Sequence, residues 1–221
     1  MTAKNVARTI AVLLLLQMVA GPVVNFRLLL PVIATSVFLE AAAPHATQIG
    51  IAVVLGLVMV GMSVGIAIVA WPVFRQYSRA MASWLLALAI VNLGVAAVEY
   101  VNTMSMLSLS LAYAKADAAS AAALQTLAGA VAAPRIWAHF IGLMFAGSFA
   151  FVLYATLFRF ALVPRVLAGF GALAAVSEIV AVALPLFGQP VAFALIAPLG
   201  LAHIALVLWL LAKGFAARDP A

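Results

Sequence analysis

Residues 48–73 read QIGIAVVLGLVMVGMSVGIAIVAWPV, with no charged side chain from end to end. A helix needs about 20 apolar residues to cross a hydrocarbon core, and this run exceeds that. Working outward from it, apolar runs near residues 9–26, 80–109, 135–158, 166–187 and 190–212 read the same way. Composition agrees: 69% hydrophobic residues, 7% charged residues and a mean hydropathy of +1.31 leave too little polar surface to cover a soluble globule. The expected fold is all-α. It is a polytopic membrane bundle of six transmembrane helices, with residues 1–221 forming one integral-membrane domain in contact with the lipid bilayer.

The net charge of +6 comes from basic residues scattered singly at the ends of apolar runs, so no patch suits a nucleic acid. They read as topology signals. Lys4, Arg8, Arg75, Arg79, Arg159, Arg165, Lys213 and Arg218 fall on one side, and Arg27, Lys115 and Arg135 on the other. Eight against three places both termini in the cytoplasm by the positive-inside rule. Cysteine is absent, which excludes disulfides and thiolate chemistry.

Lys4 and Arg8 before an apolar run resemble a signal peptide, but Met18 and Ala20 make a poor cleavage site and Pro22 follows, so a retained first helix is expected. Residues 27–47 carry Pro31, Glu40, Pro44 and His45 around a short apolar run at 28–39. An external interfacial or re-entrant segment is expected there. The second external segment, residues 113–134, is rich in alanine, and Leu124, Leu127 and Val131 recur at helical spacing, which predicts a short surface helix.

Charged groups inside spans are costly and normally face a bundle interior, so Glu99 and Glu178 are the first candidates for function. Counting depth at about 1.5 Å per residue puts His139 level with Glu99, and His203 level with Glu178. Each pair could relay a proton, or only tie two helices together. Asn92, Glu99, Thr103 and Ser110 stack on one helical face with Asn102 on its flank, lining a polar cavity or serving as packing contacts, with Arg135 placed to neutralise Glu99 at the mouth. No His-x-x-x-His or Glu-x-x-His spacing sets two ligands on one face, so no metal site is expected. Gly61 and Gly65 form a small-xxx-small pair that permits close approach of a partner helix. Pro198, five residues before His203, interrupts the last span as in many transporter binding sites.

Four strings occur in a recognisable order: WPVFRQ at 71–76, LSLS at 107–110, GLMFAG at 142–147 and LVPRVL at 162–167. With six spans, over about residues 8–210, they resemble an uncharacterised bacterial six-helix membrane family, domain of unknown function 4386. The resemblance implies a bacterial inner membrane and no established activity. Members often carry a charged pair in the third helix, where Asn92 stands in place of one charge.

No Walker loop, Rossmann fingerprint, His-Glu-x-x-His or Gly-x-Ser-x-Gly motif is present, and the sequence identifies no cofactor. Three functions fit. The first is a small-ligand or proton-linked carrier or binder using Glu99, His139, Glu178 and His203. The second is an intramembrane enzyme acting on a lipid or other apolar substrate through the same residues, and the third a non-catalytic subunit of a membrane complex.

Overall fold

The computed structural model describes residues 2–34 and 37–216; Arg218 lies outside the described residues. In chain order it contains α1 (Ala3–Pro22), a π-helical segment (Val23–Leu29), α2 (Leu30–Ile33), α3 (Phe38–Ala41), a 3-10 turn (Ala43–His45), α4 (Ala46–Tyr77), α5 (Arg79–Tyr113), α6 (Ala118–Arg159), α7 (Arg165–Ala183), a second 3-10 turn (Leu184–Phe187) and α8 (Phe193–Ala212). Six helices, counting such continuations, are long and apolar enough to cross a membrane.

Two boundaries differ from the sequence reading for local reasons. The first helix runs on past residue 26 to Ile33 through the π turn, which lies between Pro22 and Pro31. Each proline removes an N–H and crowds the carbonyl one turn back, and a widened turn accommodates both. Side-chain amides also help satisfy this stretch: Asn25 Nδ2 donates to Gly21 O at 3.0 Å and Gln48 Nε2 to Leu28 O at 2.7 Å. At the other boundary, the expected short surface helix and the fourth span are one helix, α6, continuous through Pro134. Asp117 Oδ1 accepts the Ser120 N–H at 2.8 Å and starts it, and alanine, the strongest helix former, carries it into the span.

The chain forms two compact units, one of residues 1–18, 61–92 and 140–221 and one of residues 19–60 and 93–139. In the first, α1 packs Ile10 and Leu14 into a core with Phe74, Leu85, Leu153 and Leu206. Here α6 and α7 approach closely because Gly171 accepts the Tyr154 ring, where an added Cβ would overlap it. In the second, Phe38, Ile49, Tyr100 and Met106 build a smaller core, and Gly56 makes room for the Tyr100 ring in the same manner. Gly61 faces open space and Gly65 only touches Leu13, so the tightest glycine contacts lie elsewhere than at the small-xxx-small pair.

Candidate functional site

Glu99, Arg135 and His139 come together in the second unit. Arg135 Nη2 and His139 Nδ1 each donate to the same carboxylate oxygen, Glu99 Oε1, at 3.0 Å. Arg135 and His139 are four residues apart on α6, so one helical face presents both side chains to Glu99 of α5. The side chains of Glu99, Arg135 and His139 are 9%, 16% and 25% exposed, which makes this a largely enclosed ion cluster with a small opening at the imidazole. Arg135 Nε is enclosed and has no hydrogen-bond acceptor.

Several polar side chains of α5 bond to their own helix. Thr103 Oγ1 donates to Glu99 O at 3.0 Å and Asn102 Nδ2 to Val98 O at 2.8 Å, both back to their own helix. Ser105 and Ser108 do the same. Ser110 instead works as a fastener: its hydroxyl donates to Leu39 O and accepts the Ala43 N–H, both at 2.8 Å, fixing the short segment between α2 and α4 to α5. Nothing in the sequence near Ser110 announces those partners, because they are backbone atoms of an irregular segment. Asn92 is buried in the first unit. A groove of about 410 Å³ lies between α4 and α5, lined by Val53, Leu57, Ala97, Tyr100, Val101 and Met104. It occupies a different face of α5 from Glu99, since residues 97, 101 and 104 share one face and 99 is turned away from it.

Glu178 and His203 do not meet. No hydrogen bond or ion pair joins them among the described residues; His203 Nδ1 donates to Leu199 O at 2.9 Å, and its ring stands edge-on to Tyr154 with centroids 5.6 Å apart. The cause is register. Ser177 Oγ donates to Leu195 O at 2.9 Å, which sets Glu178 level with the start of α8, and His203 lies a further two turns along, about 12 Å. Counting both helices from their basic ends treats those ends as level, which they are not. Glu178 packs instead beside Gly147, where an added Cβ would lie 3.4 Å from Oε2. Tyr154 Oη and Trp209 Nε1, also in the first unit, are buried without hydrogen-bond partners.

Among the described residues no three His, Cys, Asp or Glu side chains gather as a metal-ligand set. The chemistry available in the cluster is therefore that of a carboxylate shared by a permanent cation and a titratable one. No curated protein and no solved structure matches this chain. The family model described as "Domain of unknown function (DUF4386)" matches residues 9–214, most of the chain, and the protein belongs to that family.

Proposed function

We propose that the protein is a proton-linked small-ligand binder or carrier of the bacterial inner membrane, with both termini cytoplasmic and its working site at Glu99, Arg135 and His139. One observation carries the reading: an arginine and a histidine share a single enclosed carboxylate oxygen at 3.0 Å. The cluster joins a carboxylate to an arginine, a permanent cation, and to an imidazole, the side-chain type most used to pass protons. A cluster that alternates between neutral and singly positive on one side chain can load and release a proton.

The test is proton flux into liposomes loaded with a pH-sensitive dye. Wild-type protein should dissipate an imposed pH gradient faster than protein-free vesicles, and Glu99→Gln and His139→Asn should return it to the protein-free rate. Equal flux from wild type and Glu99→Gln would sink the reading.

A second reading is favoured by the α5 stripe, whose hydroxyls and amide at 102, 103, 105 and 108 are all satisfied by their own helix. On it, the cluster is a clamp between α5 and α6 in a non-catalytic subunit of a membrane complex. Purification from the native membrane as a stable complex, with no flux in vesicles, would establish it.

A further inference from the structure

We propose that the exposed basic end of the first unit is a binding site for the phosphodiester headgroups of anionic bilayer lipids. It shares no residue with the Glu99 cluster, so either reading can fail without the other.

The first argument is a gathering of unpaired charge. Lys4 and Arg8 lie near the start of α1, Arg75 in the last turn of α4 and Arg79 at the start of α5. Arg159 closes α6, Arg165 opens α7 and Lys213 follows α8. Contacts within the unit bring these ends together. The Tyr77 and Phe160 ring centroids lie 5.2 Å apart, those of Phe74 and Phe215 5.9 Å apart, Ala216 N donates to Leu162 O at 2.8 Å, and an added Cβ at Gly214 would lie 3.5 Å from Lys4 Cγ. All seven basic residues are exposed, and none forms an ion pair with a carboxylate among the described residues. Glu178, the unit's one carboxylate among the described residues, lies about 20 Å along α7 from Arg165 at 1.5 Å per residue. The second unit has no such excess, since Glu40, Glu99 and Asp117 match Arg27, Lys115 and Arg135 there. Cations crowded on one surface raise its potential and attract anions to it.

The second argument is level, and it favours lipid over a soluble polyanion. Trp71 stands four residues before Arg75, Trp209 four before Lys213 and Trp84 five after Arg79, each on the side toward its long apolar run. Three helices thus set an indole about 6–8 Å inside a basic side chain. Trp84 is 63% exposed. Tryptophan prefers the membrane–water interface, so the basic ends stand where phosphates lie. The donors also suit phosphate, because a guanidinium is a planar fork matched to two of its oxygens. Arg159 lies over the Phe160 ring, 5.7 Å from its centroid, and the contact of that ring with Tyr77 joins the turn flanked by Arg75 and Arg79 to the one flanked by Arg159 and Arg165. Leu162 and Val163 are buried beneath them, which leaves the charge on the rim.

Native mass spectrometry of the full-length protein, released from nanodiscs of equal parts phosphatidylglycerol and phosphatidylcholine, reads which lipid it keeps. Wild type should retain phosphatidylglycerol over phosphatidylcholine by about fivefold or more, the effect of a single basic side chain at an anionic surface. Arg75→Gln with Arg79→Gln, and Arg159→Gln with Arg165→Gln, should each lower that ratio several-fold, and the four together should remove most of it. Lys115→Gln, in the second unit, should leave it unchanged. High salt should lower the wild-type ratio as well, which tests the attraction without any variant. Equal retention of the two lipids by wild type, or a preference undiminished by loss of all four arginines, would overturn the proposal. An effect of Lys115→Gln as large as that of either pair would also overturn it, because the attraction would then belong to the whole protein and not to this end. Retention of a short RNA by wild type with no lipid preference would assign the surface to a soluble polyanion instead.

Discussion

Glu99 and Glu178 look alike in the sequence, each a lone carboxylate in a long apolar run with a histidine counted to the same depth, yet their surroundings are opposite. Glu99 receives an arginine and a histidine on one oxygen from neighbouring positions of a single helix face. Glu178 sits against a glycine with no charged partner among the described residues, and the histidine meant for it lies about two turns away along α8. Burial alone thus does not separate the two; the polar neighbours that each carboxylate meets do.

The contrast can be broken most sharply at Arg135. Arg135→Met should destabilise the protein by about 3 kcal/mol, the scale for stranding one member of an enclosed ion pair. The double variant with Glu99→Gln should recover a large part of that loss, because no unpaired carboxylate then remains. Reversible unfolding in mixed micelles reads both; additive losses would mean that the two side chains do not share an ion pair.

Packing gives the next largest effect, now inside the first unit. Gly171→Ala should cost about 1–3 kcal/mol, since the new methyl group overlaps the Tyr154 ring, whereas Gly61→Ala meets nothing within 4 Å and should be neutral. Thermal unfolding of the two variants side by side checks this, and equal effects would contradict the packing described. In the second unit, Ser110→Ala should cost about 1–2 kcal/mol by leaving Leu39 O and the Ala43 N–H without their shared hydroxyl. Amide exchange at Ala43 should accelerate in that variant and remain slow at residues of α7.

The smallest effect concerns the cap of α6. The backbone N–H and the side chain of Ser120 hold the Asp117 carboxyl below its ordinary value. A depressed folded-state value means that the cap contributes above the ordinary carboxylate range and is lost as pH falls through the lowered one. Exchange at Ser120 should therefore quicken under acid, and Asp117→Asn should remove most of that pH dependence.

The six long apolar helices were legible because a long run with few or no charges is a local property, independent of what packs on it. Arg135 and His139 were legible as neighbours of Glu99 for a related reason, since four residues on one helix fix a shared face whatever the tertiary structure. The pairing of Glu178 with His203 was not, because it depends on the offset between two helices, which the Ser177 contact with Leu195 O marks and neither helix alone reveals. The continuation of the first helix past Pro22 was hidden likewise: prolines and Arg27 mark a boundary in sequence, while a π turn and two side-chain amides carry the helix across it. The unused Arg135 Nε is a matter of ångströms and has no sequence signature.

The most direct trial of the account sets the two glutamates against each other in one vesicle assay. Glu99→Gln should abolish proton flux while Glu178→Gln retains the wild-type rate, with both proteins monodisperse and equally incorporated. Flux that survives loss of Glu99 but disappears with Glu178 would contradict it.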